Sequence, residues 1–62
     1  MIKLKKIRNE KNITQQELAN KLQVHQTLIS KIEKEKSDIT GNLLIKMCKI
    51  LNCSADELLG LK

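Results

Sequence analysis

The 62-residue chain contains no Phe, Tyr or Trp. Proteins that bind single-stranded DNA or RNA stack the bases on aromatic side chains, so this chain lacks the platform that such modules need. Acidic residues are outnumbered, with seven Asp and Glu against twelve Lys and Arg, and the formal net charge is +5. This charge favours an anionic partner, although it could also serve solubility alone. If the partner is a nucleic acid, the absence of aromatic residues favours a duplex.

Long apolar runs are also missing, and the longest spans only the three residues from Leu43 to Ile45. A membrane-spanning helix needs about 20 apolar residues, and the apolar part of a signal peptide needs about 7–15. We therefore expect no membrane partner, no signal peptide and a cytoplasmic location. The length predicts one domain, residues 1–62. A chain of this size buries only about 60% of the surface that its unfolded form exposes, so its stability should be marginal.

Groups that could perform catalysis or hold a metal are few. A side-chain nucleophile needs a base within hydrogen-bond reach and usually a third group that orients this base, but the chain has a single His, His25. Two Cys and one His do not complete a four-ligand zinc site. We therefore expect no enzyme activity, no metal and no cofactor, and no small-molecule ligand is evident. Cys48 and Cys53 fall where core residues are expected, and a reducing cytoplasm would keep both as free thiols.

Four predicted helix starts share the hydrophobic staple, in which the residue before the N-cap packs on the fourth residue after the cap. The proposed caps are Thr14, His25, Thr40 and Ser54, and the apolar pairs around them are Ile13 with Leu18, Val24 with Ile29, Ile39 with Leu44 and Cys53 with Leu58. Thr14 with Glu17 and Ser54 with Glu57 also fit a complete capping box, in which each residue's side chain accepts a hydrogen bond from the other's amide. These patterns predict four helices.

Another helix precedes these four, with its apolar side formed by Ile2, Leu4 and Ile7. Asn12 should end it, because Asn is the second choice after Gly for the left-handed position that closes a helix. The last helix is short, from Ala55 to about Leu59, and ends at Gly60. The fold class is therefore all-α, with five helices.

Two of these helices have distinct sides. At about 100° per residue, Leu28, Ile29 and Ile32 cluster on one side of the third helix. Its other side carries Gln26, Thr27, Ser30, Lys31 and Lys34, and no acid. The fourth helix is expected to bury Leu44, Met47, Cys48 and Leu51, which recur at i, i+3, i+4 and i+7.

Two short helices joined by a turn also describe an ordinary helical hairpin, so the pattern alone leaves the function open. The residues are more specific: TQQELANKL followed by VHQTLISKIE resembles the helix-turn-helix of the phage repressor and Cro family, also called the XRE family. The flanking segments LKKIRNEKNIT and ITGNLLIKMCKILNCSADELL are similar to the first, fourth and fifth helices of that domain. The resemblance implies a compact five-helix lambda-repressor-like DNA-binding domain in a sequence-specific regulator of transcription, with repression expected.

The chain departs from the family pattern at three positions. Asn12 stands where the family usually has Gly, Gln23 where its turn often has Gly, and His25 where its cap is commonly Ser or Thr. A Gln with positive φ would cost roughly 1 kcal/mol.

Groove geometry and the resemblance together indicate the DNA-contacting residues. The N-terminal residues of a recognition helix reach base edges in the major groove, so Gln26 and Thr27 are the first candidates, followed by Ser30 and Lys31. Phosphate contacts are expected from Gln15, His25, Lys34, Lys36, Thr40 and Asn42. Two positions stay open: His25 could contact the DNA or simply cap its helix, and Leu28 could touch a thymine methyl or pack at the rim of the core.

The resemblance also implies an ion pair between Arg8 and Glu33. In similar domains an Arg of the first helix pairs with the Glu at the end of the recognition helix, partly buried, and fixes that helix against the scaffold. Removing one partner of a buried pair typically costs about 3–5 kcal/mol.

One domain of this size reads few base pairs, so a homodimer on a palindromic operator is expected. The apolar residues that the core does not need, Ile45, Ile50, Leu59 and Leu61, are the candidate interface, and Ile50 is predicted to govern self-association. The competing interpretation is an antitoxin or a protein-binding adaptor on the same scaffold. A DNA-binding protein should bind random duplex at low salt and release it steeply as salt rises, which separates the two interpretations.

Overall fold

A computed structural model describes residues 2–61, which form five helices and no strand within that range. The helices are α1 (Leu4–Glu10), α2 (Gln15–Leu22), α3 (Gln26–Glu33), α4 (Gly41–Leu51) and α5 (Ala55–Leu59). The Cα radius of gyration is 10.2 Å, close to the value of about 10.6 Å expected for a compact chain of this length. None of the helices in this range is long and apolar enough to cross a membrane. The predicted all-α, five-helix fold is confirmed.

Four helices begin at the predicted caps. Thr14, His25, Thr40 and Ser54 have extended backbones, and each side chain accepts a hydrogen bond from an amide of the first turn. The capping box at Thr14 is complete, since the Thr14 amide donates to Glu17 Oε1 at 3.2 Å while the Glu17 amide donates to Thr14 Oγ1 at 3.0 Å. The residues before the four caps are half-buried and pack on the core: Ile13, Val24, Ile39 and Cys53.

The second complete capping box, predicted at Ser54 and Glu57, is wrong in one half. The Glu57 amide does donate to Ser54 Oγ at 3.1 Å. The Glu57 carboxylate, however, accepts from the Ser54 hydroxyl at 3.3 Å instead of from the Ser54 amide. A serine hydroxyl can donate and accept at once, so it competes with its own backbone amide for the carboxylate.

Left-handed residues close the helices. Asn12 (φ 58°) follows α1, as predicted, and Gln23 (φ 59°), Asn52 (φ 52°) and Gly60 (φ 74°) follow α2, α4 and α5. Glu35 (φ 58°) does the same after α3, where the amides of Glu35 and Lys36 donate to the carbonyls of Ile32 and Lys31 at 3.0 and 2.8 Å. The charged stretch after Glu33 therefore begins with a hydrogen-bonded helix end.

All five helices contribute to one core, formed by Leu4, Ile7, Leu18, Ala19, Leu22, Ile29, Ile32, Met47, Leu51 and Leu58. The predicted stripe of α4 is only partly right, because Met47 and Leu51 are buried whereas Leu44 and Cys48 are half-buried at the edge of the core. A chain this short has too few elements to cover a whole helix face.

The N-terminal segment holds α1 between α5 and the end of α3. The amide of Lys3 donates to the carbonyl of Leu58 at 2.8 Å, and the amide of Ile2 donates to Glu35 Oε1 at 2.9 Å. This anchoring sets α1 beside α3, which matters for the candidate site because α1 carries Arg8.

Candidate nucleic-acid interface

A tight turn sets α3 against α2. Gln23 adopts the left-handed conformation and donates its amide to the carbonyl of Asn20 at 3.2 Å, and the amide of Val24 donates to the carbonyl of Ala19 at 3.0 Å. The half-buried Val24 then returns the chain to the core, and α3 starts at Gln26. These few residues therefore end α2 and set the direction of α3.

The outer side of α3 is polar and carries no acid. Gln26, Thr27 and Lys31 are exposed, and Ser30 is half-buried. Five of the predicted contact residues, from α3, its cap and the start of α2, line a single shallow depression: Gln15, His25, Gln26, Thr27 and Ser30. Lys31 lies outside this depression, one turn further along the helix. The one acid of α3, Glu33, turns inward.

Glu33 pairs with Arg8 inside the protein. Arg8 Nε donates to Glu33 Oε2 at 2.7 Å, and the two side chains are 9% and 4% exposed for Arg8 and Glu33 respectively. Arg8 Nη2 lies 3.4 Å from Glu33 Oε1, and Arg8 Nη1 donates to the carbonyl of Ile13 at 2.8 Å. The guanidinium thus ties the end of α3 to α1 and to the segment that precedes α2.

The ion pair extends outward through two glutamines. Gln15 Nε2 donates to Glu33 Oε1 at 2.8 Å, and Gln26 Nε2 lies 3.4 Å from Gln15 Oε1. A chain of hydrogen bonds therefore runs from the buried Arg8 through Glu33 and Gln15 to the exposed Gln26. Gln15 was expected only as a phosphate contact, and its part in this chain was missed because nothing in the local sequence relates Gln15 to Glu33.

His25 caps α3. Its Nδ1 accepts a hydrogen bond from the amide of Thr27 at 3.1 Å, so Nδ1 carries no proton in this arrangement. A proton on the neutral ring then belongs to Nε2, and His25 is exposed. His25 therefore caps α3, and its Nε2–H is available to donate a hydrogen bond to a phosphate oxygen.

The other expected phosphate contacts lie outside the depression on α3. Lys34 and Lys36 are exposed at and beyond the end of α3, and Asn42 is exposed on the first turn of α4. The hydroxyl of Thr40 accepts from the amide of Leu43 at 3.3 Å, so it caps α4. Asp38, which the sequence analysis did not consider, is exposed and lines the same depression as Thr40 and Asn42. An acid at this point opposes phosphate binding.

The remaining apolar candidates lie apart from the depression on α3. Leu28 is half-buried and packs on the core, beside Val24 and Leu43. Ile45 and Leu61 are 56% and 71% exposed. Ile50 and Leu59 are only half-buried, and Ile50 packs on the core rather than pointing fully outward.

A family model described as helix-turn-helix matches residues 4–58, which is most of the chain. The chain belongs to this family. Over 58 residues the chain is 38% identical to the control protein C.SmaI of Serratia marcescens, an alignment that covers 89% of the chain and 69% of the relative. The resemblance to the phage repressor and Cro type is confirmed, and the protein is a DNA-binding regulator of transcription.

Proposed function

We propose that this regulator represses transcription in the cytoplasm by binding a palindromic duplex operator as a homodimer, with α3 of each copy in the major groove. The hydrogen-bond chain from Arg8 to Gln26 is the observation that supports this proposal best. It attaches the first residue of α3 to the core, and a side chain that is held in place loses little freedom when it binds a base.

Gln26 and Thr27 read bases in this proposal. One N–H of the Gln26 amide faces Gln15, so its other N–H and its carbonyl oxygen stay available for N7 and N6 of adenine. Thr27 can donate, accept or place its methyl on that of thymine. Lys31 and Ser30, one turn further, reach a guanine or a second base. The lack of acid on this side keeps every one of these contacts compatible with DNA.

Phosphate groups are held on both flanks. On one flank, Gln15 has a second N–H and His25 has Nε2 as donors toward a phosphate oxygen. On the other, Lys34 and Lys36 supply charge, and Thr40 and Asn42 lie at the N-terminal end of α4, where helix amides favour an anion and act against the nearby Asp38. These contacts set affinity and register and carry little sequence information.

The test compares Gln26, which is proposed to contact a base, with Lys36, which is proposed to contact a phosphate. After selection of bound sites from a random duplex pool, Gln26→Ala should lose about 1–3 kcal/mol on the selected site and little on random DNA, by fluorescence anisotropy. Lys36→Ala should weaken both alike and reduce the slope of log K against log salt by about 1. If Gln26→Ala loses the same binding free energy on the selected site and on random DNA, Gln26 does not contact a base.

Self-association is proposed to use the apolar residues Ile45, Ile50, Leu59 and Leu61. Ile45 and Leu61 are the most exposed large apolar side chains among residues 2–61, which suits a symmetric interface that uses each residue twice. Because Ile50 packs on the core, Ile50→Glu would also disturb folding, and Ile45→Glu is the cleaner variant.

Ile45→Glu should remain folded, sediment as a monomer and bind a full palindrome far more weakly than the parent. Its binding to an isolated half-site should stay unchanged, because the second copy contributes only to the palindrome. Lys49→Gln, which lowers the net charge by one unit as Ile45→Glu does, at another exposed residue of α4, is the control. If Ile45→Glu and the parent sediment alike and bind the palindrome equally, the interface lies elsewhere, and Leu61→Glu is the next variant.

A further inference from the structure

The end of α4 brings two thiols together. The left-handed Asn52 reverses the chain, and the amides of Asn52 and Cys53 both donate to the carbonyl of Cys48, the latter at 3.1 Å. The bond from Cys53 to Cys48 is the one that defines a Schellman motif, and this motif usually brings the side chains of these two positions into contact. In most proteins that contact joins two apolar residues. Here cysteines occupy both positions.

Both cysteines are free and only half-buried, so each is still within reach of a small reagent. The backbone hydrogen bond from Cys53 to Cys48 holds the two residues side by side at the end of α4. We propose that Cys48 and Cys53 form a reversible intramolecular disulfide that joins the last turn of α4 to the start of α5 when the regulator meets a low-molecular-weight disulfide of the glutathione class. The site is separate from the DNA-contacting residues, and the proposal does not depend on the operator.

The exchange balances in two steps. One cysteine loses its proton to water, and its thiolate attacks a sulfur of glutathione disulfide, which breaks the small S–S bond, forms a mixed disulfide and releases one glutathione thiolate. The second cysteine, also deprotonated, attacks the protein sulfur of the mixed disulfide and releases the second glutathione. Two protein thiols are oxidised to one S–S bond, and one glutathione disulfide is reduced to two thiols.

Surrounding groups slow the exchange at neutral pH. Partial burial raises the pKa of the Cys53 thiol above its usual value, and the neighbouring Cys48 and Glu57 add to this, while Lys11 acts in the opposite direction. Less thiolate is therefore present, and the rate of exchange should rise with pH. The equilibrium constant for disulfide formation is separate from this rate. It depends on how well the folded chain holds the two sulfurs together.

The experiment equilibrates the full chain in glutathione buffers of graded composition, blocks remaining thiols with an alkylating reagent and measures intact mass. The expected product is a monomer lighter by two hydrogen atoms, without alkylation and fully restored by dithiothreitol. Its equilibrium constant should be larger by about tenfold or more in the folded chain than in concentrated urea, because only the folded chain holds the two cysteines side by side at the helix end. The oxidised regulator should also melt several degrees higher than the reduced one.

Cys48→Ser and Cys53→Ser serve as matched controls, and each should yield only a mixed disulfide with glutathione. The proposal is overturned if the parent accumulates mixed disulfides or covalent dimers instead of the internal bond. It is equally overturned if the equilibrium constants in buffer and in urea agree, since closure would then reflect the short separation along the chain and not the helix end.

Discussion

Replacing Glu33 by Gln should destabilise the regulator more than any other loss of a single carboxylate. Glu33 receives Arg8 Nε at 2.7 Å, Arg8 Nη2 at 3.4 Å and Gln15 Nε2 at 2.8 Å, and its side chain is only 4% exposed. A Gln offers one acceptor oxygen and turns an NH₂ group toward the other donors. The Arg8 charge would remain buried, with the Ile13 carbonyl at 2.8 Å as its other acceptor.

The expected loss is about 3–5 kcal/mol of the free energy of unfolding. A chain of 62 residues has a total of about 3–9 kcal/mol at about 0.05–0.15 kcal/mol per residue, so this loss is a large share. It corresponds to a melting temperature lower by about 12 °C or more. Thermal and urea unfolding followed by far-UV circular dichroism measure both quantities. Glu10→Gln, the same change at an exposed position of α1, is the control and should leave both nearly unchanged.

A double replacement separates stability from positioning. Arg8→Met with Glu33→Leu removes both charges, and hydrophobic residues can replace a buried pair with little cost. This variant should recover most of the stability that Glu33→Gln loses, yet its discrimination between operator and random DNA should fall because Gln15 no longer has its acceptor. A Glu33→Gln variant within about 1 kcal/mol of the parent would refute the reasoning, since it would mean that the Arg8 charge is adequately solvated without Glu33.

Three further predictions concern single positions. Gln23→Gly should raise the free energy of unfolding by up to about 1 kcal/mol in urea titrations, because Gly adopts the observed φ of 59° without strain. An unchanged or lower free energy of unfolding would mean that the greater entropy of the unfolded glycine chain outweighs the relief of strain. His25→Ala should lower stability by about 0.5–2 kcal/mol through the lost cap, and His25→Asn should restore most of it in the same titrations. The raised pKa of Cys53 favours its neutral form on folding, so its contribution to stability is present below pH 9.0 and is lost as pH rises through the folded value. Relative to Cys53→Ser, the parent should therefore lose stability above pH 9.0 in urea titrations, and parallel curves for the two proteins would contradict the pKa direction.

Helix boundaries followed from the sequence because the signals for them are local. A cap and its staple lie within six residues of each other, so Thr14, His25, Thr40 and Ser54 could be recognised without knowing where the rest of the chain goes. The left-handed positions at Asn12 and Gln23 followed from comparison with a family that often has Gly there. The second capping box failed on a choice between two donors of one residue, Ser54, which the spacing does not decide.

The sequence indicated which residues form the candidate site but not which hydrogen bonds join them. The resemblance pointed to Gln26 and to the pair of Arg8 with Glu33. It did not indicate that Gln15 joins them, because the contact spans eighteen positions along the chain and depends on how α2 packs on α3. Sequence periodicity likewise could not distinguish the buried Met47 from the half-buried Leu44, since both lie on one stripe and only the neighbouring helices determine how much of it is covered.

By itself, the sequence determined five helices, the starts of four of them, and one acid-free polar side on α3, since each depends on residues within one or two turns. The tertiary structure decided what those helices bring together: the hydrogen-bond chain that ends at Gln26, and the anchoring of the N-terminal segment by Glu35 and Leu58. The physical reason is the separation along the chain over which each interaction acts. Capping and periodicity act between neighbours in the chain, whereas a carboxylate buried between three elements is satisfied only by groups that the fold delivers from elsewhere.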